Sequence, residues 1–408
     1  MFHEEKLCRL CQDQQLMVLL DLGAQPPANS NYLPSENSPK DIPLRLAICV
    51  SCKVTQIVET VSPKYLFSEY QWKSGTGQAT RDFAVMLPGL LKKKLDLDSF
   101  SLLEIASNDG TFLEAFKPFC TKLLGVDPAH NLIDECAAKG LEVINDFFSE
   151  SSATKILETH GEFDVVLARN VIPHVPSFDD IASGVKKLLA PKGFYVIEFH
   201  SAYNIHKELQ YDSIYHEHIF YFSLTTLSRQ MWRLGFYFVD SFESPLSGGA
   251  TVAIFSLDGT NSKASCVELD AEKNLGIDAV PAWEQFAARV ASHAEELCSL
   301  LNSLRDEKKI VAYGASARAS TLLNFCHLDS HVVEFIVDNN PNKVGRKTPG
   351  TNIDIVSYKH FLDSVSSYSI VLLTAWNFAE EICNQLRRDG YLGKVIIPFP
   401  TPTVKHIS

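Results

Sequence analysis

Four consecutive residues, Tyr215-His216-Glu217-His218, can each move or orient a proton, and they stand between the apolar Ile214 and the apolar run 219–222. Polar groups in such surroundings either find partners or carry out chemistry, because burying an unpaired one is costly. A neutral imidazole is a base of suitable strength near pH 7. A phenol and a carboxyl beside it can orient a substrate or bear developing charge. On an extended strand His216 and His218 would face one way and Glu217 the other. That is not the i, i+4 helical spacing of a zinc protease, so proton transfer is preferred to metal ligation. The bland alternative is a strand end whose histidines only bond backbone carbonyls.

A second chemical signal lies near the start of the chain. Cys8-x-x-Cys11 and Cys49-x-x-Cys52 are two pairs of thiols, and each pair can offer two sulfurs to one tetrahedral ion. All four positions are thiols, which leaves none for water, so a structural Zn2+ is expected on Cys8, Cys11, Cys49 and Cys52. The intervening stretch is rich in turn formers (Pro26, Pro27, Asn29, Ser30, Pro34, Pro39, Pro43) and too short to bury much core. A metal would therefore supply folding energy. The other six cysteines sit in helix-like or apolar context and read as small core residues.

Groups of this kind need a scaffold, and the sequence upstream of the Tyr-His-Glu-His cluster supplies one. Residues 101–105 form a short apolar strand, 106–110 a small-residue turn (Ala-Ser-Asn-Asp-Gly), and 111–116 a helix start. This is the opening unit of a doubly wound sheet, whose ligands sit at the strand C-termini. A second strand, 122–126, ends in Asp127, an acid able to accept bonds from both ribose hydroxyls. A helix over 132–139 leads to 141–144 and then to Asp146-Phe147-Phe148, an acid and aromatics suited to adenine. Residues 163–170 supply a fourth strand, and the turn 189–193 precedes a fifth. The Gly-x-Gly-x-x-Gly of a nicotinamide site is absent. The ordered pieces, with Pro191-Lys192-Gly193 before the fifth strand, resemble class I S-adenosylmethionine (SAM) methyltransferases. SAM is accordingly expected against Glu104, Ala106, Asn108, Gly110, Asp127, Asp146, Phe147, Ala168 and Asn170.

Several longer motifs come in one order: the four cysteines, Glu104-Ile105-Ala106-Ser107-Asn108-Asp109-Gly110-Thr111, and Ala168-Arg169-Asn170-Val171-Ile172-Pro173-His174-Val175-Pro176. They are followed by Tyr211-Asp212-Ser213-Ile214-Tyr215-His216-Glu217-His218 and Tyr313-Gly314-Ala315-Ser316-Ala317-Arg318. Over nearly its whole length the chain resembles the nucleotide-sugar C-methyltransferases, which place a methyl branch at C3 of deoxysugars. The resemblance implies a nucleotide-diphosphate keto sugar as partner, specifically a thymidine-diphosphate-linked 4-keto sugar. A ketone makes the neighbouring carbon methylatable by enolisation, which needs a base and stabilisation of the enolate oxygen. By the resemblance His218 is that base, and Tyr215 and Glu217 orient the sugar and handle the enolate. Tyr70, within the aromatic segment 68–75, reaches the same pocket. His216 has no assigned role. The chain departs from the family pattern at Ala106, which replaces the first glycine of the turn, and at Pro173. It departs again at Leu246-Ser247-Gly248-Gly249-Ala250-Thr251-Val252, which lacks a histidine and an arginine. These changes bear on which sugar is used more than on the reaction.

The C-terminal third repeats the doubly wound pattern. Residues 267–305 carry helical periodicity through Trp283, Phe286, Val290, His293, Leu297 and Leu301. Strands are expected at 309–315, 334–338, 369–374 and 394–398, giving a second Rossmann-like domain that faces the substrate. Ser316, Arg318, Asn339, Trp376 and Asn377 are its candidate nucleotide-sugar contacts. The fold class expected is α/β in three domains: a four-cysteine zinc domain (1–66), a class I SAM methyltransferase domain (67–262) and the C-terminal Rossmann-like domain (263–408).

At 408 residues, with 46% hydrophobic and 21% charged content, the chain reads as a globular protein of the cytoplasm. A net charge of −12 argues against nucleic acid as a partner, and no apolar run of membrane-spanning length is present. Oligomeric state carries no signal, and a monomer is the simplest expectation. Two rival functions stand beside C-methylation. One is O- or N-methylation of another metabolite. The other is a non-catalytic zinc-ribbon binding protein on a degenerate SAM fold.

Overall fold

The computed structural model describes residues 2–62, 66, 75, 77–305, 309–363 and 370–407. Tyr70 lies outside the described residues. The N-terminal module contains β1 (Phe2–Glu4), β2 (Leu16–Gln25), β3 (Ile42–Cys49), β4 (Thr55–Ile57) and β5 (Glu59–Val61). β2, β3 and β4 run antiparallel, and β1 pairs with β5. The turn formers noted between the cysteine pairs fall mainly in the loop joining β2 to β3. The flanks of that loop are ladder.

The central sheet is built from β6 (Phe100–Ile105), β7 (Cys120–Val126), β8 (Val143–Ile144), β9 (Phe163–Arg169) and β10 (Leu189–His200), all parallel. The chain then leaves it. The two-residue β11 (Phe220–Tyr221) joins the N-terminal module, pairing with Gln56 and Thr55 of β4. Two antiparallel strands, β12 (Tyr237–Ser244) and β13 (Ala250–Ser256), return to complete the order β12-β13-β10-β9-β6-β7-β8. β6 is buried at every residue, as a parallel strand covered on both faces should be. The direction of winding reverses between β6 and β9, so the crevice at their carboxyl ends is where a ligand belongs.

The region expected as one or two linking helices is two, Val267–Leu275 and the 26-residue Val280–Arg305. Trp283, Phe286, Val290, His293, Leu297 and Leu301 are buried along one stripe of the longer helix. The C-terminal sheet has the order β16-β15-β14-β17-β18-β19. Its members are β14 (Ile310–Tyr313), β15 (Val333–Val337), β16 (Asp354–Val356), β17 (Ile370–Leu373), β18 (Gly393–Ile397) and β19 (Thr403–Ile407), with only β19 antiparallel.

One apolar cluster runs through all three regions, from Leu46 and Ile48 through Ile105, Val166 and Ile197 to Phe286, Val290, Ile336 and Leu372. The short N-terminal module thus borrows core from its neighbours as well as gaining order from its cysteines. No helix among the described residues is long and apolar enough to cross a membrane.

Candidate active site

Residues 215–218 form a turn, not a strand. The His218 N–H donates to the Tyr215 carbonyl at 3.0 Å. The first and last members therefore meet, with Tyr215 Oη 2.9 Å from His218 Nε2 and the ring centroids 4.2 Å apart. The middle two point away and are held by the N-terminal module. His216 Nε2 lies 3.0 Å from the Pro43 carbonyl, and Asn29 Nδ2 donates to both Glu217 carboxylate oxygens at 2.7 and 2.9 Å. The alternating strand geometry considered from the sequence does not form. For His216 the bland alternative holds, since it bonds a backbone carbonyl.

The turn is stitched to the carboxyl edge of the central sheet. Beyond β9, the Ile219 N–H donates to the Pro173 carbonyl at 2.8 Å, and His174 Nδ1 lies 2.8 Å from the Glu217 carbonyl. The His174 ring meets that of His218 edge-on, 4.6 Å between centroids. In the sequence His174 stands out only as part of a motif, and its position a few residues after the carboxyl end of β9 is the signal that points to it. His200, the last residue of β10, is buried with Nε2 2.7 Å from Gln210 Oε1.

Burial sets the protonation of these groups. It pulls His174 down to about 4 and His200 down to about 3. His218 is held well below the usual imidazole range by burial, with His174 and His200 adding to the effect and a main-chain bond to Ser213 opposing it. All three imidazoles are therefore neutral at pH 7. Burial pushes the Glu217 carboxyl the other way, up to about 7, against the bonds from Asn29 and the charge of Lys343.

The residues expected to hold SAM surround the neighbouring strand ends. Ala106 and Asn108 adopt φ of +54° and +53°, so the turn keeps a left-handed conformation although its first glycine is replaced. Gly110, at φ +74°, lies in the left-handed region that favours glycine, and a Cβ there would meet Leu141 Cδ1 at 2.5 Å, so the leucine would have to shift. Asp127 accepts the Asn108 and Ala129 N–H groups at 2.7 and 2.8 Å, locking the turns after β6 and β7 together. Asn170 follows β9 at φ +50°, just beyond the buried Ala168. Asp146 is exposed, and Phe147 presents 65% of its surface. Glu104 Oε2 is buried without a hydrogen-bond partner. Burial pushes that carboxyl up to about 8, with Arg169 opposing. An orphaned carboxyl oxygen, an exposed aromatic and an acid at the second strand end suit a ligand with both polar groups and an adenine ring.

The four N-terminal cysteines converge. Their sulfurs all lie within 4.8 Å of one another, with Cys8–Cys52 at 3.6 Å and Cys11–Cys49 at 3.5 Å. Four sulfurs about 2.3 Å from a tetrahedral zinc stand roughly 3.8 Å apart, so the donor set fits that ion. The cluster sits where Leu16 pairs with Cys49, and Asn29 and Pro43 belong to the opposite end of the β2–β3 ladder.

The polar candidates of the C-terminal domain mostly have other duties. Arg318 grips Asp212 with two bonds of 2.9 and 3.0 Å, donates to the Ser247 carbonyl at 3.0 Å and stacks over Trp376. Trp376 Nε1 donates to the same carboxylate at 2.7 Å. This joint holds the short turn Tyr211–Ser213 just before the Tyr-His-Glu-His turn. It also brings a guanidinium to the Ser247-Gly248-Gly249 loop. Ser316 caps the helix Ala317–Phe325, and Asn339 reaches Tyr313 Oη at 3.4 Å.

Fold and edge together define a SAM-dependent methyltransferase carrying a structural zinc domain. Residues 8–67 match the family described as "Putative zinc binding domain", 73–241 match "Methyltransferase domain", and 245–400 match "C-methyltransferase C-terminal domain". C-methyltransferase NovU of Streptomyces niveus is 30% identical over 410 aligned positions, covering 97% of this chain and 96% of that protein. The chain belongs to this family of SAM-dependent C-methyltransferases. Among solved structures, N-methyltransferase NodS from Bradyrhizobium japonicum with S-adenosyl-L-homocysteine is 18% identical. It covers 45% of this chain and 90% of its own, with a TM-score of 0.34. Protein PH0226 from Pyrococcus horikoshii is 16% identical over 50% of this chain and 100% of its own, with a TM-score of 0.37.

Proposed function

We propose that this enzyme methylates a carbon next to the ketone, C3, of a nucleotide-linked 4-keto deoxysugar in the cytoplasm, by way of an enolate. The observation that carries the reading is the contact of Tyr215 Oη with His218 Nε2 at 2.9 Å, set on the carboxyl edge of the central sheet. C-methylation needs a carbon nucleophile, and a neutral imidazole beside a phenol is equipped to make one. His218 removes the α-proton, the electron pair of the C–H bond moves toward the carbonyl, and Tyr215 and Glu217 orient the sugar, the Tyr215 hydroxyl bearing on the oxygen where charge gathers. Tyr70 is assigned to the same pocket by family resemblance. When bound, SAM supplies an electrophilic methyl group. Glu104, Ala106, Asn108, Gly110, Asp127, Asp146, Phe147, Ala168 and Asn170 would hold it. NovU, a C-methyltransferase by name, supports carbon rather than oxygen or nitrogen as the acceptor.

His218→Asn should abolish methyl transfer while SAM binding by calorimetry stays close to that of the parent. Full activity in that variant would sink the base assignment. The acceptor is tested by mass spectrometry of methyl transfer to a panel of nucleotide keto sugars. In deuterium oxide a true acceptor should exchange its α-hydrogen, and exchange should depend on His218. An O- or N-methyltransferase would show no such exchange.

A further inference from the structure

Asn29 sits on the loop between β2 and β3, 188 residues from Glu217 in the sequence. Its side chain is exposed, whereas Glu217 is only 5% exposed. The amide nevertheless donates to both oxygens of that carboxylate. Asn29 belongs to none of the module's ladder pairs, nor to its cysteine cluster or its shared core. The bond reaches out of the module to the 215–218 turn. It is joined there by the Pro43 carbonyl, which holds His216. Two adjacent residues of the turn are thus gripped from one side, leaving Tyr215 and His218 to face each other.

We propose that Asn29 is a positioning residue for methyl transfer, through which the zinc-bearing module aims the Glu217 carboxyl. The proposal rests on the part given to Glu217 above. Other groups bear on the same carboxylate. Lys343 approaches from the C-terminal domain, itself 3.7 Å from Asp338. His174 bonds the Glu217 main chain, and Tyr215, His216 and His218 flank it in the turn. Burial alone drives the carboxyl toward its neutral form, with the Asn29 bonds first and Lys343 after them in opposition. Removing the amide leaves the burial and takes away the donor, so the midpoint must rise. A hydrogen bond to an ionised group is strong enough to move it by about one to two pH units.

The test uses the full-length, zinc-loaded enzyme with 13C-labelled glutamate carboxyls, the Glu217 signal being identified by its loss in Glu217→Gln. In Asn29→Ala the midpoint should move up by about one to two units, and in the isosteric Asn29→Asp, which adds a like charge, further still. Methyl transfer at pH 7 should fall about tenfold in Asn29→Ala and recover as the pH is raised. Zinc content and SAM binding should not change. An unmoved midpoint beside an inactive Glu217→Gln would overturn the role of Asn29 alone. A fully active Glu217→Gln would overturn the role of Glu217 and the proposal with it. A loss of activity matched by loss of zinc, with no movement of the midpoint, would mark Asn29 as merely structural and equally overturn it.

Discussion

Burial moves the bases and the acids of the carboxyl edge in opposite directions. Imidazoles at 174, 200 and 218 are kept neutral by it, and carboxyls at 104 and 217 resist ionisation. For Glu104 this has a clear consequence for stability. Its folded-state value, about 8, lies above the ordinary 4.5, so the folded protein holds a proton that the unfolded chain releases. The stability this lends is complete below pH 4.5 and is lost as pH rises through 8. Glu104→Gln keeps a neutral group at the site. The cofactor-free variant should unfold at a higher temperature than the parent at pH 9, by an amount worth about 5 kcal/mol, and the gain should vanish as the pH falls below 4.5. Thermal melts across that range check it. A constant difference at all pH values would mean Glu104 is not the titrating group.

At the scale of elements, the joint made by Arg318, Asp212 and Trp376 ties the helix Ala317–Phe325 to the segment that leads into the 215–218 turn. Asp212 is fully buried. Arg318→Ala strands that carboxylate with the indole N–H of Trp376, and the loss of one partner of a buried pair costs about 3–5 kcal/mol. Urea unfolding should therefore show an earlier transition in Arg318→Ala. Asp212→Asn in the same chain should restore part of the loss, because an amide is cheaper to bury than an unpaired charge.

The strands of both parallel sheets were legible in the sequence because each is covered on two faces and reads as a run of apolar residues, as at 101–105 and 369–374. β16 and β19 were not. β16 has three residues, and β19 is exposed at four of its five positions, so neither carries an apolar run. The cysteine cluster was legible because its spacing is local. The shape of the 215–218 turn was not, since its fixing partners, Asn29 and Pro43, lie 188 and 173 residues away. Periodicity cannot report a contact of that range.

For the molecule as a whole, Cys49 of the zinc site and Pro43, which holds the 215–218 turn, lie on one strand about 20 Å apart, so the metal acts at a distance and through order. Chelation should fray the cysteine end first and, as the module loosens, release the turn. Methyl transfer should be lost while SAM binding, which depends on the central sheet, persists. Restoring zinc should restore activity. Calorimetry and activity measured along a chelator titration would separate the two, and simultaneous loss of both would contradict the modular picture. The two-residue strand β11 has a consequence for how the chain is made. The N-terminal module leaves the ribosome long before residues 220 and 221 exist. Until they arrive, β4 is a bare sheet edge with unpaired backbone groups, the kind of edge that recruits a stranger. β11 is thus the module's missing outer strand delivered late, and the pairing that protects this protein from its neighbours is the same one that anchors the chain just after the 215–218 turn.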